Sequence, residues 1–375
     1  MSSVADQQGL VYLGLDVHKD SISVGILRGD ESVPDVERIF ADGESVRRLI
    51  SRFADRSRLR SCYEAGPTGY GLHRELTGLG VRNQVVAPSL VPRRAGDRVK
   101  TDRRDARRLA RLHRAGELTA IRVPTQDEEA VRDLCRARAD LLDDRHRARK
   151  RLGAFLLRHG EVYRAGSPWT MTHDRWLSGL VFAQRAAAVT FAHYRAALAE
   201  RDATLAAVEA DLWPFAEVEP FGECVRRLGA YRGIARLGAL TIATEVTDWR
   251  RFARAEAFMG FTGLVPSEYS SGDCTRRGHI TKAGNEHLRT QLVESAWAYQ
   301  HGPAVGVELR KRQHDLPPAT IARAWAAQRR LCRRFRDLAG RKNSKAIVAV
   351  AIARELAGFL WAEMTCPQHT ESIPA

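Results

Sequence analysis

The sequence changes character at Pro124, and no single fold accommodates both sides of that change. Before it, short runs rich in Val, Ile and Leu alternate with segments of helical period. After it, Asp127 to His159 and Ala186 to Leu212 are long, charged, alanine- and leucine-rich stretches without strand signals. Strands interleaved with helices predict an α/β unit, whereas long uninterrupted periodicity predicts two long helices able to pair as a coiled coil. The pattern divides the chain into an α/β domain over 9–124, a helical coiled-coil region over 125–215 and a mainly α C-terminal domain over 216–365. A length of 375 residues suits two or three such units.

In the first region, Leu10 to Leu27 reads as two strands joined at the polar turn His18-Lys19-Asp20. A helix near Glu44 to Ala54, a strand ending S-C-Y-E, a helix from Tyr70 to Leu79 and a strand R-N-Q-V-V-A-P follow. The region closes with Lys100 to Ala115, whose leucines and alanines recur at helical spacing beneath a dense arginine face. Gly166-Ser167-Pro168 marks a connection between the two long helices. From Pro220 the chain runs through L-G-A-Y-R-G-I-A-R-L-G-A and G-L-V-P-S-E-Y-S-S-G into helices from Val293 onward.

The formal net charge of +15 gives a surface potential that attracts polyanions, of which nucleic acid is the commonest. Lysine contributes only Lys19, Lys100, Lys150, Lys282, Lys311, Lys342 and Lys345, so arginine carries nearly all the positive charge. Genome composition explains most of that bias, although guanidinium forks also suit bidentate phosphate contacts. The cysteines at 62, 135, 224, 274, 332 and 366 form no C-x-x-C pair, which argues against structural zinc and disulfides. The N-terminal residues lack the apolar core of a signal peptide, and the apolar run Ala346 to Ala353 stops at Arg354. A soluble cytoplasmic protein, without a membrane partner, is the expectation.

Four carboxylates stand where strand ends and a helix face can converge: Asp16 and Glu64 at the ends of expected strands, and Asp102 and Asp105 three apart on an expected helix. Each alone has an ordinary explanation. Asp16 can cap a turn, Glu64 can lie on the surface, and Asp102 or Asp105 can pair with Arg103, Arg104, Arg107 or Arg108 as exposed ion pairs do. Together, in a basic chain, they call for hard divalent cations, which take oxygen ligands and assist phosphodiester chemistry.

A second concentration of chemistry lies in G-L-V-P-S-E-Y-S-S-G-D-C-T-R-R-G-H-I-T-K-A-G-N-E-H-L-R, from Gly263 to Arg289. Gly272, Gly278 and Gly284 let the backbone bend, and Arg276, Arg277, Lys282 and Arg289 can contact nucleic-acid phosphates. A serine here is either a phosphate contact or a nucleophile, and His279 and His287 are the local candidates to activate it. Upstream, R-G-I-A-R-L-G-A at 232–239 reads either as a phosphate-gripping hairpin between helices or as a helix start with packing glycines. Trp249, Phe252, Phe258 and Phe261 sit among apolar neighbours and read as core, and the basic face of Arg323 to Lys345 is open to both a solvated and a backbone-tracking reading.

The motifs G-L-D-V-H-K at 14–19, Y-E-A-G-P-T-G-Y at 63–70, K-T-D-R-R-D-A at 100–106 and G-L-x-P…S-G…I-x-K-x-G-N-x-x-L-R at 263–289 resemble the insertion-sequence 110 family of DEDD transposases, over most of the chain. The resemblance implies an N-terminal domain like the RuvC form of the RNase H fold, with Asp16, Glu64, Asp102 and Asp105 as ligands of Mg²⁺ or Mn²⁺. It implies that Ser271 attacks DNA to give a covalent intermediate, in a homodimer or homotetramer whose protomers share composite sites. It further implies a bridge RNA that pairs with donor and target DNA.

Two other readings compete with this recombinase. One is a RuvC-like junction nuclease that uses only metals and water, with the C-terminal domain as a DNA clamp. The other is a non-catalytic DNA-binding protein, in which the four placed carboxylates would be superfluous. The RNase H fold also hosts ATP-dependent enzymes, but the turn after Asp16 is V-H-K-D and lacks the glycine and hydroxyl that hold ATP phosphates.

Overall fold

The computed structural model describes residues 9–29, 31–92, 101–268, 277–341 and 344–366, and the chain divides into two compact units at Val123/Pro124. In the first unit a five-stranded mixed sheet has the order β3-β2-β1-β4-β5, formed by β1 (Val11–Val17), β2 (Ser21–Arg28), β3 (Asp35–Phe40), β4 (Leu59–Glu64) and β5 (Arg82–Val86). The first three strands meander antiparallel, whereas β4 and β5 run parallel to β1. The expected hairpin of β1 and β2 is present. The edge strand β3 has no counterpart in the sequence reading, because its D-V-E-R-I-F pattern leaves it mostly exposed and only weakly apolar.

β1 and β2 are buried on both faces, which is why they read as nearly continuous apolar runs. Their cross-strand pairs separate the two faces. Leu13 with Ile26 and Leu15 with Val24 join a core shared with Val46, Leu49 and Ile50 of helix α1 (Gly43–Ser51) and Leu76 of helix α2 (Gly71–Gly78). On the opposite face, Tyr12 with Leu27 and Gly14 with Gly25 meet helix α3 (Asp102–Ala115).

The paired glycines decide how close α3 comes. A Cβ on Gly14 would lie 2.3 Å from Ala110 N and 2.4 Å from Ala106 O, and one on Gly25 would lie 2.5 Å from Ala106 O. Helix backbone therefore rests directly on sheet backbone, with Ala106 and Ala110 fully buried at the contact. Thr101 caps the helix, its hydroxyl accepting from Arg104 N at 3.4 Å, and Gly116 ends it with a left-handed φ of 70°.

In the second unit, α4 (Gln126–Arg158) opens with a reciprocal capping box: Glu128 N donates to Thr125 Oγ1 at 3.1 Å and Thr125 N to Glu128 Oε2 at 2.9 Å. It packs antiparallel to α6 (Arg185–Leu212), with Arg138 paired to Glu209 at 2.7 Å and Arg145 to Asp202 at 3.7 Å. The buried residues of α6, Phe191, Leu198, Leu205 and Leu212, recur every seventh position. A short helix α5 (Met171–Ser178), not expected from the sequence, intervenes and seats Leu177 beside Phe155 and Phe191.

Among the described residues, the regular structure in the rest of this unit is helical apart from one hairpin. Helices α7 (Gly222–Gly229), α8 (Arg236–Val246) and α9 (Ala255–Phe261) lead into strands β6 (Pro266–Glu268) and β7 (Arg277–Ile280). Helices α10 (Glu286–Ala296), α11 (Val307–Gln313), α12 (Pro318–Ala339) and α13 (Lys345–Thr365) complete it. Trp249 and Phe258 are buried and Phe252 and Phe261 pack against the same core, as expected. Glu363 is fully buried but accepts from Arg227 Nε at 3.0 Å and Thr320 Oγ1 at 2.9 Å, so its charge is matched. Among the described residues, no helix is long and apolar enough to cross a membrane.

Two stability measurements test these packing arguments. Gly14→Val drives a side chain into the α3 backbone and is expected to cost about 3 kcal/mol or more in urea unfolding. Gly78→Ala, where an added methyl meets open space, changes stability by less than about 1 kcal/mol. A tolerant Gly14→Val would refute the close seating. Burial, with a smaller contribution from Arg60, lowers the His113 pKa from 6.5 to about 4, so the unfolded chain binds the proton more readily between those values. Stability contributed by neutral His113 is present above pH 6.5 and lost as pH falls toward 4. Replacing it by Phe should remove about 2 kcal/mol of the difference between pH 7 and pH 4.5, and an unchanged pH dependence would exclude His113 as its source.

Candidate functional site

The alternation of β1 places Asp16 on the α3 face, paired with Ser23 across to β2. In β4, Cys62 faces the same helix, its Sγ 3.7 Å from Leu109 O, and Glu64 two residues on shares that face. Parallel pairing of Leu15 with Tyr63 brings Asp16 and Glu64 to adjacent strand ends. The first turn of α3 contributes Asp102 and Asp105 to the same end of the sheet. All four sequence-identified carboxylates thus lie in one neighbourhood.

Two basic side chains link them. His18 Nε2, from the β1–β2 turn, is 3.3 Å from Asp16 Oδ2 and 3.4 Å from Asp102 Oδ1. Arg108, one turn along α3, reaches Asp105 Oδ1 at 3.0 Å and Glu64 Oε1 at 3.6 Å. Neither was singled out as a site residue from sequence. The signal for His18 was its place two residues after Asp16 in G-L-D-V-H-K, and for Arg108 its i+3 spacing from Asp105.

The electrostatics leave the site short of positive charge at its centre. Burial raises the Asp16 pKa above its ordinary value; His18 opposes that, and the charges of Asp102 and Asp105 add to it. Asp105 is buried, and its Oδ2 has no hydrogen-bond partner among the described residues. The positive end of the α3 macrodipole offsets part of the repulsion, since Asp102 and Asp105 both lie in its first turn. An orphaned buried carboxylate oxygen beside crowded acids fits a divalent cation with oxygen ligands. Donor atoms of Asp16, His18 and Asp102 lie within 4.8 Å of one another.

In the second unit, Ser271 and Arg276 lie outside the described residues, and of Arg277 only the backbone is described. The base of the β6–β7 hairpin that flanks them is tied down from several directions. Lys282 N donates to Gly263 O at 3.1 Å and Asn285 N to Phe261 O at 2.8 Å. Arg289 Nη1 donates to Thr262 O and Lys282 O, each at 3.2 Å, while Lys282 is exposed. Asn285 caps α10 by accepting from Leu288 N at 2.8 Å, and its amide donates to Glu245 Oε2 at 2.6 Å.

Glu245, buried at the end of α8, also receives Arg136 Nε at 2.7 Å and Nη2 at 2.9 Å. Burial alone would raise its pKa, but Arg136 and Asn285 outweigh that and hold it below the usual carboxylate value. Gly278 meets Ser267 Oγ, 2.4 Å from where its Cβ would be, so this glycine serves the hairpin's close pairing. The 232–239 run joins α7 to α8. There Gly233, with φ 85°, has its Cβ position 2.2 Å from Ser295 O, which accounts for that glycine by packing.

Comparison with known proteins reaches the same segments. The family model described as "Transposase IS116/IS110/IS902 family" matches residues 225–305, which include the serine segment. A second, described as a transposase of the DEDD type of IS110, matches residues 13–160, which include all four carboxylates. A Sinorhizobium fredii protein named as a transposase is 42% identical over 96% of this chain and 90% of its own length. The transposase for insertion sequence element IS1533 of Leptospira borgpetersenii is 32% identical over 88% of this chain and 96% of its own. The transposase for insertion sequence element IS1111A of Coxiella burnetii is 26% identical over 60% of this chain and 62% of its own.

The raised Asp16 pKa carries a signed prediction. Its contribution to stability is full below the unfolded value and is lost as pH rises through the folded one, so at neutral pH the ionised group strains the metal-free fold. Asp16→Asn should melt roughly 1–3 °C above wild type in EDTA. Wild type should gain several degrees on addition of millimolar Mg²⁺ or Mn²⁺ and the variant should not. Equal metal stabilisation of both proteins would remove Asp16 from the site.

Proposed function

The chain belongs to the IS110 family of transposases, and from that membership we propose that it moves an insertion sequence by a metal-assisted serine recombination guided by a bridge RNA. The observation that carries this reading is the convergence of Asp16, Glu64, Asp102 and Asp105 at one end of the sheet, with the Asp105 Oδ2 left unpartnered. The strand order and sense, 3-2-1-4-5 with β3, β2 and β1 antiparallel, support an RNase H-like domain of the RuvC kind. The seventh-residue spacing of buried side chains on α6, packed against α4, supports a coiled coil.

Asp16, Glu64, Asp102 and Asp105 would hold Mg²⁺ or Mn²⁺, which when bound neutralises charge on a reacting phosphate. Arg108 then keeps Glu64 and Asp105 oriented from one side. In the second unit Ser271 Oγ is the nucleophile. It forms an O–P bond as the bond from phosphorus to one sugar oxygen breaks, and that oxygen leaves with a proton. Attack by a sugar hydroxyl of another strand reverses the exchange and frees the serine. One phosphodiester replaces another at each step, so no external energy source is required.

The flanking residues suit this task. The Glu245–Asn285–Arg136 cluster and the Arg289 contacts hold the chain that follows the serine segment, while Arg276, Arg277, Lys282 and Arg289 are proposed to grip phosphate. The net charge of +15 supports a partnership with donor and target DNA and with RNA, in a homodimer or homotetramer.

Purified protein incubated with Mg²⁺, its element ends, target DNA and the flanking transcript should yield a protein–DNA adduct on denaturing gels. Ser271→Ala should abolish the adduct, and omitting the transcript should prevent its formation. Cleavage by Ser271→Ala without any adduct would instead favour the metal-and-water nuclease. Adduct formation without the transcript would refute guidance by RNA.

A further inference from the structure

We propose that His18 is itself a metal ligand, so that the carboxylate site takes one nitrogen donor and favours Mn²⁺ over Mg²⁺. This inference rests on the reading of Asp16 and Asp102 as ligands and adds to it the identity of a further donor and its consequence for metal choice.

The β1–β2 turn is closed by the backbone, His18 N donating to Ser21 O at 2.9 Å, so the imidazole is not needed to hold the turn. The side chain is half exposed, yet it is directed at two carboxylates rather than left in solvent.

A long hydrogen bond joins His18 Nε2 to Asp16 Oδ2, but it does not account for the second neighbour, Asp102. One nitrogen atom, Nε2, faces both Asp16 Oδ2 at 3.3 Å and Asp102 Oδ1 at 3.4 Å. That nitrogen carries at most one hydrogen, which cannot point well at both oxygens. Both separations also exceed the roughly 2.7–2.9 Å of a charge-assisted hydrogen bond. They lie a few tenths of an ångström outside the roughly 3 Å between neighbouring donors around one ion, so small side-chain movements would bring both into a coordination shell.

The neighbouring Asp105 adds to the need for positive charge: it is buried, its Oδ2 has no hydrogen-bond partner among the described residues, and its charge adds to the crowding at Asp16. Glu64 and Asp105 already share Arg108, whereas among the described residues Asp16 and Asp102 share only His18. A cation among Asp16, His18 and Asp102 supplies the missing positive charge on that side.

The donor set determines preference. Mg²⁺ is satisfied by carboxylates and water; Mn²⁺ shares that preference for oxygen but, as the softer ion of the two, gains more than Mg²⁺ from one imidazole nitrogen. Exchanging His18 for an oxygen donor should therefore weaken Mn²⁺ more than Mg²⁺.

The test uses full-length protein loaded with Mn²⁺ and reads the metal directly. Electron spin-echo modulation should show nitrogen coupling from a directly bound imidazole in wild type and lose it in His18→Asn and His18→Ala. In calorimetric titrations both variants should bind Mn²⁺ about tenfold more weakly while Mg²⁺ affinity changes by less than about threefold. Mn²⁺ bound by wild type without nitrogen coupling, or equal losses for both metals, would overturn the role of His18 and leave the carboxylate site standing. Absence of any Mn²⁺ binding by wild type would overturn both. Unchanged melting of His18→Asn in EDTA separates loss of a ligand from loss of the fold.

Discussion

The site depends on the absence of two side chains. Gly14 and Gly25 face each other across β1 and β2, and the α3 backbone occupies the space their Cβ atoms would need. A helix packed on ordinary side chains stands farther from a sheet, commonly about 10 Å between axes. Here Ala106 and Ala110 sit directly on the strands, and the first turn of α3 comes down to the level of the strand ends. Asp102 and Asp105 thereby come into electrostatic range of Asp16, and Arg108 comes within reach of both Asp105 and Glu64. The glycines are structural residues whose effect is to bring acids together.

Bringing acids together is unfavourable, and the surroundings show how the cost is spread. The α3 macrodipole, His18 and Arg108 each offset some negative charge, but none reaches Asp105 Oδ2. The second unit handles buried charge differently. Glu245 and Glu363 are deeper than Asp16, yet each accepts from arginine and from a second donor, and each is held below the usual carboxylate pKa. Matched acids hold structure in place. The under-matched acids of the first unit are those left able to accept a cation.

Much of this was legible in the sequence because it depends on local periodicity and on strand ends. Continuous apolar runs gave β1 and β2, helical spacing gave α3, α4 and α6, and the carboxylates could be located because strand termini and a helix start have predictable directions. β3 was not legible, since an edge strand with one wet face lacks the apolar alternation that marks its neighbours. The α5 helix was missed for a related reason: it is short, and its burial comes from edge-on and tilted contacts among Trp169, His173 and Trp176 rather than from a repeat. His18 and Arg108 were visible only as residues near acids. Which acid each serves depends on the seating of α3, a tertiary fact.

In the serine recombination proposed here, the two units divide the demands of strand exchange. Replacing one phosphodiester by another is nearly isoenergetic, so rate and direction must come from positioning rather than from bond energy. Positioning requires rigid supports, and both units supply them by backbone contact. In the first, α3 lies on paired glycines. In the second, residues 281–285 are pinned by Gly263, Val265 and Phe261 backbone oxygens and by the Glu245–Asn285 bond. The same glycine device recurs there, with the Gly284 Cβ position 2.2 Å from Phe261 O. Arg136 extends that anchoring to α4, so the long helix that pairs with α6 also braces the junction from which the serine segment departs. A helix whose far half packs against α6 and whose near half grips Glu245 transmits a fixed orientation along its length, which a reaction without an energetic drive requires.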